Sequence, residues 1–181
     1  MTHTQGADAE RGANLLGTLS LAVADRVADA TAAAAGQGGS APAALSALHE
    51  YLGGEPIDSL SRALGVTHSA AVRLVDRLAD TGLVERRPGP DGRSVAVVPT
   101  DAGRDAARRV TEARAAALEE VLAVLSEAER RQLARLHEKL LAGVTPSRAA
   151  ARHLCRLCDP VACGHHEGRC PVTRAADAAA A

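Results

Sequence analysis

Apolar residues along this chain first recur at the spacing of one helix face. Leu15, Leu16, Leu19, Val23 and Val27 lie on the same side of a helical turn, and the pattern fades into the glycine-rich break Gly36–Ser40. This predicts a helix over residues 12–35 behind a frayed, disordered segment 1–11. Ser40 and Pro42 then open a short helix carrying Leu45, Leu48 and Leu52, which Gly53 and Gly54 end. Asp58 or Ser59 is placed to cap a third helix running to Leu64, and Gly65 permits a sharp turn. Thr67 caps a fourth helix that reaches about Asp80, and Gly82 closes it. On that fourth helix Ala71, Leu74, Val75 and Leu78 share one face, while Ser69, Arg73, Asp76 and Asp80 share the other.

The pattern next changes to that of strands. Leu83–Arg87 and Ser94–Val98 flank the turn Pro88-Gly89-Pro90-Asp91-Gly92, a hairpin arrangement. Helix, tight turn, helix and β-hairpin in that order make a winged helix-turn-helix over residues 40–100. Thr100 caps a long helix with Ala107, Val110, Ala113, Ala117, Val121 and Val124 facing one way. Ser126-Glu127-Ala128-Glu129 is a capping box that opens another, bearing Leu133, Leu136 and Leu140 and ending at Gly143 and Pro146. The predicted class is mainly α, a winged helix-turn-helix with a small β-hairpin wing plus long dimerisation helices at 12–35 and 101–145. Those helices carry more apolar face than one winged domain covers, so self-association is expected.

Composition changes this picture in two ways. Of the 181 residues 46% are hydrophobic but only 1% aromatic, with one Tyr and neither Phe nor Trp. A core of Ala, Leu and Val buries little area per side chain, which strengthens the case for a dimer. The net charge is −1, and between Ile57 and Thr100 six Arg stand against five acids. A nucleic-acid partner therefore cannot be argued from a global basic field, only from placed residues. Lys139 is the single Lys; Arg supplies the remaining positive charge. No leader-like segment and no apolar run of about 18 residues is present, so a cytoplasmic protein with no membrane partner is expected. Acid pairs such as Asp76 with Asp80 and Glu119 with Glu120 have no nucleophile or His beside them, which argues against an acid–base enzyme.

The segments SLSRALGVTHSAAVRLVDRLADTGLVERR and DGRSVAVVPTDAGR resemble the MarR family of bacterial transcriptional regulators. Asp91 and Arg93 at the wing tip, and Thr100 with Gly103 at the start of the next helix, stand where that family has them. The resemblance spans roughly residues 12–145. It implies a triangular homodimer with intertwined terminal helices, a pseudo-palindromic double-stranded DNA operator, repression, and release by a small molecule, metal or oxidant. It places the start of the fourth helix in the major groove. Thr67, His68 and Ser69 would lie at the bases or phosphates, Val72 against a thymine methyl, and Arg73 on a guanine or phosphate. Arg93 would enter the minor groove with Asp91 holding its guanidinium. Arg62, Arg77, Arg86 and Arg87 would position the DNA backbone. Taken singly, each of these Arg is more often a surface residue than a base reader, and Arg73 and Arg77 with Asp76 and Asp80 could form a solvated helix face.

The family pattern stops before residues 150–172. All four cysteines lie there, spaced Cys155-x2-Cys158-x4-Cys163-x6-Cys170. The first pair presents two thiolates from one knuckle, and Asp159-Pro160 and Gly164 let the chain double back to a tetrahedral site. The segment lacks an apolar run, so a bound metal would supply its folding energy. Zinc is the first expectation for this metal site. An iron–sulfur cluster is the second, since Pro171 follows the last Cys. Thiol–disulfide sensing through Cys155 and Cys158 is the third. His153, His165 and His166 could each replace a Cys ligand, although loop His residues are more often simply polar. Residues 173–181 read as a disordered tail. Two rival functions remain: a thiol redox or iron–sulfur electron-transfer protein, and an adaptor whose knuckle docks a partner. The first would need its C-x-x-C at a strand-to-helix junction, whereas here it follows a helix.

Overall fold

The computed structural model describes residues 2–89 and 94–180, with side chains from Asp8 onward. Helix α1 (Thr2–Ala35) already begins at Thr2, where the sequence predicts fraying to residue 11. That stretch has no proline and continues without a stop signal into Ala9, Glu10 and Arg11, all good helix formers. Helix α2 (Ala41–Ala47) is buried along its whole length and widens into a π-helical turn, Leu48–Leu52. Helix α3 (Ile57–Leu64) is preceded by Pro56 rather than capped by Asp58 or Ser59. The fixed φ of Pro56 suits the extended residue before a helix, and Pro56 also bridges to Ala96 of the wing. Helix α4 (His68–Asp80) follows the turn at Gly65.

Strands β1 (Val84–Pro88) and β2 (Val95–Pro99) pair antiparallel, with Arg86 opposite Val97. Thr100 then caps α5 (Asp101–Leu122) by accepting from Gly103 N at 3.1 Å. The capping box expected at Ser126 and Glu129 opens α6 (Glu127–Gly143). Arg130 ties the α5–α6 corner by donating to both oxygens of Glu119 (2.7 and 2.9 Å). Two short helices complete the chain: α7 (Arg148–Leu154), capped by Ser147, and α8 (Pro171–Ala178). The latter occupies much of the stretch expected to be disordered. Pro171 at its start favours helix, and Val172 and Ala176 are buried.

The core lies inside the winged domain. Leu45, Leu48, Leu52, Leu60, Val75, Leu78, Val97 and Val110 are its largest fully buried side chains. Each contributes about 1.5–3 kcal/mol over an exposed position. Between them sit Ala41, Ala44, Ala47, Ala63, Ala106 and Ala107, all nearly inaccessible, so α2 and α5 approach closely. The long helices differ. Leu15, Leu16 and Leu19 on α1 are about half exposed, and α6 buries none of its residues within the single chain. Among the described residues, no helix is long and apolar enough to cross a membrane.

Candidate nucleic-acid interface and cysteine cluster

Gly65 carries φ of +68°, the left-handed conformation that ends α3 and turns the chain into α4. Thr67 then caps α4, its hydroxyl accepting from Ala70 N at 3.2 Å. With Ala71, Leu74, Val75 and Leu78 buried, α4 has a fixed rotation and presents Ser69, Arg73, Arg77 and Asp80 to solvent. His68 at its first position donates from Nδ1 to Asp58 Oδ1 (2.6 Å), which tethers the start of α4 back to α3 and leaves Nε2 for a ligand. Val72 is half-buried, on the boundary between the two faces.

The arginines expected along this surface separate into two groups. Arg86 donates to Asp76 Oδ1 (2.6 Å), joining the wing to α4, and Arg87 pairs with Glu85 on its own strand. Arg77 reaches only the carbonyl of Arg73 (3.3 Å). The Arg73 side chain is exposed and has no polar partner among the described residues. It is the guanidinium most available to a phosphate or a guanine edge. Arg62 donates to Ser59 Oγ (3.2 Å) and lines a cavity on the cysteine side. Asp91 and Arg93 lie outside the described residues.

The cysteine segment is built from turns. Cys155 ends α7 and Cys170 precedes α8. Asp159 Oδ1 accepts from the backbone of Val161 (2.8 Å) and Ala162 (3.0 Å), which folds the chain between Cys158 and Cys163. Gly164, at φ +68°, turns it back. The four thiols line one cavity, where Cys158 Sγ donates to the Asp159 carbonyl (3.5 Å) and Cys163 Sγ to the Pro160 carbonyl (3.6 Å). Hydrogen bonding with Cys158 holds the Cys155 thiol below the usual thiol range. The same bond, with burial, pushes Cys158 well above it. Burial, followed by the charge of Cys158, raises Cys163 to about 12. With the thiols in these positions, no group of three or more His, Cys, Asp or Glu among the described residues is arranged to hold a metal ion. Ligation would require loss of the thiol protons and small side-chain rotations. His165 is engaged with Thr173 Oγ1 (3.1 Å), and His153 points into the winged domain.

A cavity of about 750 Å³ lies beside this segment, walled by Tyr51, Arg62, Arg152, His166 and all four cysteines. Burial and then the neighbouring Cys155 push the Tyr51 phenol up to about 12. The sequence did not single out Tyr51 and Glu55, which both contact Arg152. That partner lies about a hundred residues away, and no local pattern marks such pairs.

A family model described as MarR family matches residues 43–94, from α2 into the start of the second wing segment. Among solved structures, the fold is similar to a probable transcriptional regulator from Pseudomonas aeruginosa. The two are 30% identical with a TM-score of 0.54, over 69% of this chain and 96% of that one. It is also similar to RV1404 from Mycobacterium tuberculosis (26% identity, TM-score 0.63, 75% of this chain and 92% of that one). A third similar structure is the Mycobacterium tuberculosis MarR-family protein Rv2887 in complex with DNA, at 28% identity and a TM-score of 0.55 over 69% of this chain and 96% of that one. No curated protein matches the sequence.

Proposed function

Because residues 43–94 carry a MarR-family domain, we propose that the chain is a homodimeric transcriptional repressor that binds a pseudo-palindromic operator through α4 and the wing. The observation that carries this is the fixed rotation of α4, which turns outward Arg73, without a polar partner among the described residues, together with the capping hydroxyl of Thr67 and the hydroxyl of Ser69 bonded to it. A helix so presented fits a major groove. The similarity to a regulator solved with DNA supports the same assignment.

Arg73→Ala should weaken binding to a duplex selected by the protein from a random-sequence pool. A bidentate guanine contact is worth about 1–3 kcal/mol of discrimination, so a loss of roughly ten- to a hundredfold is expected in fluorescence anisotropy. Binding unchanged by the substitution would remove Arg73 from the interface. Repression is tested by transcription in vitro from a promoter overlapping the selected duplex; stimulation of that promoter would reverse the assignment.

The dimer rests on the apolar faces that α1 and α6 leave uncovered in one chain. A second copy supplies matching faces by symmetry. The four-cysteine cluster is its metal site, with zinc as the occupant, because closed four-thiolate sites with short loops suit that ion. Binding releases the thiol protons to solvent as each sulfur becomes a ligand. Cys158→Ser should abolish the roughly one zinc per chain expected for such a site. Elemental analysis and a visible spectrum read the outcome: iron with a brown chromophore would replace zinc by a cluster, and full zinc in the variant would exclude Cys158 as a ligand.

A further inference from the structure

The cysteine segment does not hang free of the DNA-binding domain. His153 donates from Nδ1 to the carbonyl of Ala63 (3.0 Å), in the last turn of α3. Its ring also lies directly over Gly65. A Cβ built at that glycine would come within 2.9 Å of His153 Cε1. Two further anchors stand beside it. Tyr51 donates its hydroxyl to the carbonyl of Arg152 (3.1 Å), and Arg152 pairs with Glu55 (3.5 Å). Leu157, between the first two cysteines, packs on the core. On one side these contacts fall within residues 152–157, at the first thiol pair. On the other they cluster at the end of α2 and at the α3–α4 turn that sets the direction of α4.

Residues 155–170 cannot hold that geometry by packing, since only Gly164 and Cys170 among them are buried. Their shape depends on turn hydrogen bonds. Without a bound metal the four thiols add no restraint to the end of α7, which carries His153. Segments with few buried contacts open at low cost, and ligation of a segment that cannot fold alone is its folding energy.

We propose that zinc bound by the four thiols tightens operator binding by fixing His153 against Ala63 and Gly65, which braces the α3–α4 turn. The inference rests on the zinc-site and DNA-binding readings above. In the ligated protein the turn is ordered before DNA arrives, and α4 docks without a further ordering cost. In the stripped protein that cost falls on binding. The coupling is reciprocal, so saturating duplex tightens zinc binding by the same factor.

The test uses the full-length reduced protein, zinc-loaded or chelator-stripped, with a labelled duplex selected from a random-sequence pool. Stripping should weaken binding of the parent protein by roughly tenfold, within the usual range of allosteric coupling, and added zinc should restore it. His153→Ala should keep its zinc and its dimer and bind the duplex with an affinity that no longer depends on zinc. Should that variant misfold, Tyr51→Phe removes a neighbouring anchor without emptying the site and should reduce the coupling. A parent protein that holds zinc and binds the duplex equally well in both states would overturn the coupling alone. Failure to retain zinc would overturn the zinc reading, and failure to select any duplex would overturn the DNA-binding reading. Either failure would take the coupling with it.

Discussion

Gly103→Ala should lower the melting temperature of the protein by roughly 6–12 °C and abolish DNA binding near that temperature. Gly103 sits at the third position of α5, where its amide donates to the Thr100 hydroxyl. A Cβ there would overlap the Leu83 carbonyl oxygen and lie 2.9 Å from the carbonyl carbon. That carbonyl cannot retreat easily. It accepts from Thr100 N (3.1 Å), while the Thr100 hydroxyl donates to the carbonyl of Gly82 (2.7 Å). The segment between α4 and β1 is thus clamped against the start of α5. Adding one methyl forces the wing and α5 apart. Overpacking of this kind costs about 3 kcal/mol at the upper end of its usual range, and each kcal/mol moves the midpoint of a chain this size by about 2–4 °C. Calorimetry measures the shift directly. A midpoint within a degree of the parent would mean that the Leu83 carbonyl has room to move.

The second large effect is expected at Leu19. Leu15, Leu16 and Leu19 are 48%, 49% and 51% exposed in the single chain, and Leu136 and Leu140 on α6 are 49% and 50% exposed. A side chain so exposed costs a monomer little when changed. If a second copy covers it, Leu19→Asp places a carboxylate in an apolar interface without a partner, at several kcal/mol. The dimer dissociation constant should rise by about two orders of magnitude or more, with helix content unchanged. Sedimentation velocity over a concentration series distinguishes the outcomes. A variant that remains dimeric at the parent's concentrations would place the interface elsewhere.

Much of the winged domain was legible because its signals are local. Thr67, Gly65 and Gly82 punctuate α4, and the period of Ala71, Leu74, Val75 and Leu78 sets its buried face. The capping box at Ser126 was equally plain. Pro56 was harder to read. It acts as the residue before α3 because a bridge to Ala96 holds it, a contact made forty residues away. α8 is ordered because Val172 and Ala176 find buried places that no spacing rule announces. The clustering of the cysteines could be read from their positions, but the docking of their segment could not. His153 looked like a loop residue beside a thiol, and its role depends on a turn 88 positions earlier. The division of the arginines was also hidden. Arg73 and Arg86 look alike in sequence, yet among the described residues only Arg86 is paired with an acid.

That division bears on how binding responds to ions in the medium. An unpaired guanidinium that neutralises a phosphate frees a cation condensed on the duplex, and this release makes DNA binding weaken as salt rises. Arg86 and Arg87 are already neutralised by Asp76 and Glu85. If either turns to the duplex, it leaves behind a carboxylate that draws a cation from solution, offsetting the one released. A DNA complex of this chain would then owe less of its affinity to mobile ions than a count of its arginines suggests. More of it would rest on shape and on groups that, like Arg73, have no acid partner among the described residues.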